Sequence, residues 1–366
     1  MLYVPDLPLN DSIPAGTVQE AVPMDPPAPT RILEMATGAW LARALAVAVR
    51  CRLFERARAG LDPVQVAKVL RCGAVRPARM MTDVLTGAGL LERRDGRVYP
   101  TPLSEAWLTS DRDTYLGGLV TMFDRRLYGP WGRLEVALAE NHPVLDPVPA
   151  NIDLETALRD ARETINGLHG LTLRAGRSLA RTLDFSACRR VLDLGGGSGA
   201  MSIALTTTWP DLEVTAVDHG PIIDVIEENA RSAGVGARVH PWRANFFVDP
   251  LPSGFDVVIL SNILHDWSPE QGLTLLRRAH EALREGGRVV VAEWMLDDDR
   301  SGPLLAALLS LCMLIETDGG ENPTALEVAD LMTRVGFEDA ERVALQFPHC
   351  AVVGRRRVAI ETRLAP

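Results

Sequence analysis

Arg190-Val191-Leu192-Asp193-Leu194-Gly195-Gly196-Gly197-Ser198-Gly199-Ala200 reads as a buried strand running into a tight glycine turn and then a helix. Glycine supplies the dihedrals and the missing side chain that let backbone N–H groups approach a ligand closely. The run also satisfies the dinucleotide fingerprint in its alanine-terminated form, Gly195-x-Gly197-x-x-Ala200, so the turn alone leaves a nicotinamide and S-adenosylmethionine both open. Two features favour the sulfonium ligand. Asp193 stands inside the strand end, where a carboxylate suits a cation bearing an amino group better than a pyrophosphate, and glycine recurs as Gly195-x-Gly197-x-Gly199.

Outward from this turn, strand and helix patterns alternate. Val191–Leu194, Glu213–Val217, Arg238–Pro241, Phe255–Leu260 and Arg288–Glu293, with helical stretches between them, predict a mostly parallel sheet. Ala340–Gln346 and Cys350–Arg355 flank Pro348 so closely that they predict an antiparallel hairpin on the sheet edge. Asp218 ends the second strand, where a carboxylate accepts hydrogen bonds from ribose hydroxyls; helix capping is its structural alternative. Asn245-Phe246-Phe247 follows the third strand, where an amide and an aromatic ring suit an adenine, with core packing the alternative for the phenylalanines.

The segment Leu260-Ser261-Asn262-Ile263-Leu264-His265-Asp266-Trp267-Ser268-Pro269-Glu270-Gln271 places a histidine in this frame. Ser268-x-x-Gln271 is a capping box with Pro269 at the first helical position, so a helix starts just after Trp267. His265 then stands at the carboxyl end of the fourth strand, the edge on which open α/β sheets bind ligands. An unperturbed imidazole, with a pKa of about 6.5, accepts a phenolic proton at neutral pH. Glu293 ends the fifth strand on the same edge and is placed to hold the other ring nitrogen.

The remaining chain limits the function classes. Its 366 residues, 47% hydrophobic content and net charge of −10 give a large core and no basic face for a nucleic-acid backbone. Cys51, Cys72, Cys188, Cys312 and Cys350 show no metal-ligand spacing and read as reduced thiols of a cytoplasmic protein. Residues 1–29 form a proline-rich arm that disfavours helix. Ile32–Val49 is apolar nearly all round, which predicts a helix buried on every side, packed into a partner subunit as well as its own core. Its most apolar part, Ala36–Val49, contains Arg43 and is too short for a membrane span of about 20 residues.

Leu61–Leu70, Arg76–Leu91 and a wing with Asp95-Gly96 at its tip outline a winged helix, read here as a dimerisation module rather than a DNA reader. The expected divisions are therefore the arm at 1–29, a winged-helix dimerisation domain at 30–114, a helical pocket segment at 115–185 and the α/β domain at 186–366. Met122, Phe123 and Trp131 in the helical segment, with His169, Met313 and Glu316, are the candidate walls of a small-molecule pocket.

The glycine run 191–199, Ser261-Asn262-Ile263-Leu264-His265-Asp266-Trp267 and Glu293 together resemble the caffeic-acid-type O-methyltransferase family, over residues 30–356. Leu53-Phe54 and Thr101-Pro102-Leu103 extend the likeness into the winged-helix part. The resemblance implies a Rossmann-like class I methyltransferase domain with a seven-stranded sheet, preceded by a mainly helical winged-helix domain that joins a homodimer. It implies S-adenosylmethionine as cofactor, no metal, a small aromatic acceptor from an antibiotic-type pathway, no nucleic acid and no membrane. By the same resemblance His265 is the base and Glu293 its partner, and Gly195, Gly197 and Asp218 bind the cofactor; Asp193, Asn245, Phe246 and Ser261, at the neighbouring strand ends, complete the candidate cofactor site.

The chain also departs from that pattern. The plant run Gly-Gly-Lys-Glu-Arg-Thr is Gly319-Gly320-Glu321-Asn322-Pro323-Thr324 here, which puts Asn322 in the place of a second catalytic glutamate and leaves Glu316 or Glu321 as substitutes. Ser261 replaces a frequent lysine, and Asn245 an aspartate. These departures keep C-methylation within the same family open as an alternative. A nicotinamide oxidoreductase does not account for the His265 segment.

Overall fold

The computed structural model describes residues 28–145, 154–220 and 222–358. Most of the proline-rich arm expected at 1–29 therefore lies outside the described residues. The chain divides into two compact units, Met1–Trp40 and Leu41–Pro366, and the division falls inside α1 (Thr30–Arg50).

In the first unit the Thr37 hydroxyl donates to the Leu33 carbonyl at 2.8 Å, and Ile32, Leu33, Met35 and Trp40 are exposed. Burial of this helix within its own chain is thus narrower than its all-round apolar pattern suggests. Only Ala46, Ala48 and Val49 at its far end are buried within the chain. By length and composition alone α1 is long and apolar enough to cross a membrane, longer than the segment Ala36–Val49 suggests.

The second unit begins with α2 (Leu53–Arg56), α3 (Pro63–Val69), α4 (Val75–Gly87) and the hairpin of β1 (Leu91–Arg94) with β2 (Arg97–Pro100). Asp62 caps α3 in a reciprocal box with Gln65. Asp95 and Gly96 both take positive φ, 49° and 72°, as the left-handed two-residue turns of hairpins require. Leu53, Phe54, Val66, Leu85, Leu91 and Val98 make one core beneath this helix-turn-helix and wing. Arg93 pairs with Asp83 at 2.6 Å and Arg94 with Glu92, so both wing arginines are engaged within the chain.

There follow α5 (Pro102–Trp107), α6 (Gly117–Met122), a π-helical turn at Phe123–Leu127, α7 (Leu134–Glu140) and the long α8 (Leu154–Thr182). The sheet region then runs β3 (Arg190–Leu194), α9 (Ala200–Thr208), β4 (Glu213–Asp218), α10 (Ile222–Ser232), β5 (Val239–Arg243) and β6 (Phe255–Ser261). It closes with α11 (Pro269–Ala282), β7 (Leu283–Glu293), α12 (Leu304–Glu316), α13 (Ala325–Val335), β8 (Phe337–Ala344) and β9 (Cys350–Arg356).

The seven strands lie in the order β5-β4-β3-β6-β7-β9-β8. The first five are parallel, and β9 runs antiparallel to both β7 and β8, as the sequence predicts. Alternation along the strands feeds two cores. Leu192, Val258 and Val291 face α11 and α13, whereas Val191, Val257 and Val290 face α8 and α9. Strand β8 starts at Phe337 rather than at the expected Ala340, because Phe337 is itself a core residue, 2% exposed. The chain leaves β3 toward β4 on one side while β6 pairs on the other, so the carboxyl end of β3 is a topological switch point.

Candidate active site

Four strand ends converge at this switch point: Leu194 of β3, Asp218 of β4, Ser261 of β6 and Glu293 of β7. In the glycine turn, Gly195 has φ +81° and any side chain on it would collide with Ile263 Cδ1. Gly197, at φ +52°, has no atom within 4 Å of where a side chain would start, so open space lies over its backbone. The turn is tied to β4: Gly195 and Gly196 N–H donate to the Val217 carbonyl at 2.9 and 3.0 Å, and Gly197 N–H donates to Asp218 Oδ2 at 2.8 Å. Burial pushes the Asp218 carboxyl up, against the backbone N–H groups of Gly197 and His219 that favour its charge.

Asp193 is 1% exposed, and burial pushes its carboxyl up to about 6 although the Ser202 hydroxyl donates to Oδ2 at 2.6 Å. Its Oδ1, the Ser261 Oγ and the Asn262 Oδ1 are buried with no hydrogen-bond partner among the described residues. Buried polar atoms are normally satisfied, so orphaned atoms on the paired strands β3 and β6 and just beyond mark where an outside polar group belongs. Asn262 also sits at φ +54°, a strained position for a residue with a side chain. Sequence reasoning passed over Asn262. An asparagine directly after a strand was the available signal, since its side chain tolerates left-handed backbone.

Of the adenine candidates, Asn245 is exposed and uses its Oδ1 to accept from Phe247 N–H at 3.0 Å, which shapes the loop after β5. Phe246 takes its packing alternative: it is 6% exposed within the main core, edge-on to Trp267 with centroids 6.5 Å apart. The half-buried ring at this place is Phe247, 4.7 Å from Trp267. These contacts anchor the tryptophan that follows His265 and Asp266.

His265 lies in a short 3-10 turn, Leu264–Asp266, and the reciprocal Ser268–Gln271 box starts α11 just beyond it. Its Nδ1 is 2.5 Å from Glu293 Oε2. Glu293 is fully buried, and its Oε1 accepts from Ile263 N–H at 2.7 Å and Leu264 N–H at 2.8 Å. One carboxylate therefore fixes both the imidazole and the turn that carries it. Nε2 lies 3.4 Å from Asp266 Oδ1.

Burial pulls the His265 pKa down, but the charges of Glu293, Asp266 and Glu316 and the Glu293 hydrogen bond outweigh it and push it up to about 9. This corrects the expectation of an unperturbed imidazole. The carboxylates crowding it come from β7, α12 and its own turn, and their meeting is a tertiary fact.

The two glutamates proposed to stand in for the second carboxylate separate clearly. Glu316 adds to the field on His265 and is held by Arg126, whose Nε donates to Oε2 at 2.8 Å. Glu321 is 57% exposed at its side chain and pairs with Arg300. Asn322 is fully buried, but its Nδ2 donates to the Trp294 carbonyl at 2.5 Å, bracing the chain just beyond Glu293; its Oδ1 is without a partner among the described residues. His349 joins this brace by accepting from the Trp294 indole N–H at 3.1 Å, and burial holds it down to about 3, so it is a neutral acceptor. No pattern around His349 marked it in sequence.

Met122 packs in the cluster that contains Trp294, while Trp131 packs with Leu127, Cys312 and Met313. Phe123 is 38% exposed. His169 does not join them. Its Nδ1 is 2.9 Å from Ser198 Oγ in the glycine turn, and it lines a cleft of about 390 Å³ with Arg177, Thr207 and Asn229 from α8, α9 and α10. Among the described residues no cluster of three or more His, Cys, Asp or Glu side chains suits a metal ion.

Residues 155–338 match the O-methyltransferase domain family. The chain is 37% identical over 322 residues to the 3-hydroxy-5-methyl-1-naphthoate 3-O-methyltransferase of Streptomyces sahachiroi, covering 87% of this chain and 92% of that protein. It is 31% identical to the tetracenomycin polyketide synthesis 8-O-methyl transferase of Streptomyces glaucescens, over 90% of this chain and 97% of that one. Human N-acetylserotonin methyltransferase, solved in complex with SAM, superposes with a TM-score of 0.82 at 27% identity, covering 92% of this chain and 100% of that one.

Proposed function

Because this chain belongs to the O-methyltransferase family, we propose that it moves the methyl group of S-adenosylmethionine to a hydroxyl of a small aromatic, antibiotic-type intermediate, with His265 as general base. S-adenosylmethionine supplies a methyl group already activated as a sulfonium. The residues present fit such a ligand. Open space over Gly197 admits it to the backbone, and the unpartnered Asp193 Oδ1, Ser261 Oγ and Asn262 Oδ1 suit its amino and hydroxyl groups. Asp218, at the end of β4, is the carboxylate for the ribose.

The protein's own task is to orient the acceptor, exclude water and take a proton. Orientation of this kind supplies several kcal/mol of barrier reduction. His265 Nε2 receives the hydroxyl proton, while Glu293 keeps the Nδ1 proton in place and stabilises the imidazolium that forms. The observation that carries this reading is the 2.5 Å His265–Glu293 contact at the sheet edge beside the glycine turn.

Only the neutral imidazole is a base. With its pKa pushed up to about 9, about one His265 in a hundred is neutral at pH 7. The acid limb of kcat/KM therefore rises with pH and levels near 9. Incubation with S-adenosylmethionine and a hydroxyarene, followed by NMR location of the methyl group, tests the reaction. Methyl on oxygen, with this pH limb absent in His265→Asn, is expected; methyl on carbon, or an unchanged limb in the variant, overturns the reading.

The relatives that act on a naphthoate and on a tetracenomycin polyketide support an aromatic acceptor. The exposed apolar side chains of α1, among them Ile32 and Trp40, support homodimerisation through that helix. All five cysteines are free thiols, in keeping with a cytoplasmic protein.

A further inference from the structure

The π-helical turn Phe123–Leu127 is held in a way that methyl transfer itself does not require. The Asp124 side chain is 4% exposed, and two arginines of α1, Arg43 and Arg50, both hydrogen-bond to it. Arg43 also lies over the Tyr128 ring, 5.4 Å from its centroid. Leu127, 5% exposed, packs with Cys312 and Met313 of α12. The turn is thus gripped from two elements, an arrangement in keeping with the frequent use of π-turns at functional sites.

What the turn presents is Arg126. Its Nε bonds Glu316 at 2.8 Å, and its two Nη groups have no hydrogen-bond partner among the described residues. It stands close enough to Asp266 to oppose the upward push that burial, Glu293 and Glu316 give that carboxyl.

The charges around the base make this cation consequential. Glu293, Asp266 and Glu316 act on His265 as carboxylates, His349 is neutral, and Arg126 is the guanidinium that acts on the same cluster. An acceptor bearing a second anionic group meets repulsion from the carboxylates unless a cation receives it. A guanidinium with a free edge is the side chain that matches a carboxylate in shape as well as charge.

We propose that Arg126 is a specificity-determining residue that pairs through its Nη edge with a ring carboxylate of the acceptor, and that Asp124, held by Arg43 and Arg50, is the positioning residue that aims it. The preferred substrates are then hydroxyaryl carboxylic acids rather than neutral phenols. This rests on the reading of His265 as the base for an aryl hydroxyl, and it concerns recognition rather than the chemical step.

Calorimetry on the enzyme saturated with S-adenosylhomocysteine separates the two. The probes are a hydroxynaphthoate and the naphthol of the same ring skeleton. The wild type should bind the acid more tightly. Arg126→Met should weaken acid binding about ten- to hundredfold, the worth of a charge-assisted pair, and leave naphthol binding within about twofold. Arg126→Lys should restore part of the loss, and Asp124→Asn should weaken the acid selectively while S-adenosylhomocysteine affinity holds. Equal affinity for the two probes, no binding of the acid, or equal losses for both in Arg126→Met overturns the proposal. Binding that follows this pattern without methyl transfer to the hydroxyl would instead refute the proposed function and leave the Arg126 inference standing.

Discussion

Asp193 and His265 have opposite histories as ionisable groups. His265 gains carboxylate partners that stabilise its charge, whereas Asp193 is buried beside one hydroxyl and keeps an oxygen without a partner. A carboxyl pushed up to about 6 by burial is ionised at pH 7.5 at the expense of the fold, since its unfolded value lies near 3.9. Its stability contribution is fully present below the unfolded value and is lost as pH rises through the folded one. Asp193→Asn keeps a partner for the Ser202 hydroxyl and removes the charge, so at pH 7.5 it should raise the unfolding free energy by up to about 3 kcal/mol, read as a higher melting temperature, and leave stability little changed near pH 4. The same variant should bind S-adenosylhomocysteine more weakly. A variant no more stable at pH 7.5 would show that burial of the Asp193 charge does not weaken the fold.

The elements divide into those whose signals are local and those whose signals are not. The strand at Val191 and the helix start at Ser268 are written in adjacent residues: an apolar run ended by glycine, and a capping box with proline at the first helical position. Both were legible. The boundary of β8 was not, because Phe337 joins the strand by packing into a core assembled from α11 and α13. At α1 the apolar pattern does not tell which chain supplies the cover, since an apolar helix reads the same whether its cover comes from its own chain or another. Ser268 is useful because its cap sits directly after the His265 turn. Ser268→Ala should cost about 1 kcal/mol, the ordinary worth of a cap, read as a lower urea midpoint with an unchanged slope. A loss near zero would mean that Trp267, on Phe246 and Phe247, sets the start of α11 by itself.

For the molecule as a whole, the strand ends that carry Asp193, Asp218 and Glu293, and the turn after β6 that carries His265, could be assigned from the chain because an α/β sheet gathers its strand termini on one edge. What could not be assigned were the partners arriving from elsewhere: Asp266 turned toward Nε2, Glu316 restrained by Arg126, and Asn322 and His349 committed to Trp294. Single-residue motifs contain none of these, since each joins segments distant in sequence or depends on a side-chain direction. The central claim remains that His265 removes a proton from the acceptor hydroxyl. It is tested most directly by comparing wild type and His265→Asn on two acceptors of one ring skeleton at pH 8.5, one hydroxyl with a pKa of about 10 and the other of about 7. Loss of general-base catalysis should slow transfer to the weaker acid by about 10²- to 10⁴-fold and affect the already ionised acceptor far less. Equal losses on both acceptors, or no loss on the weaker acid, would contradict the assignment.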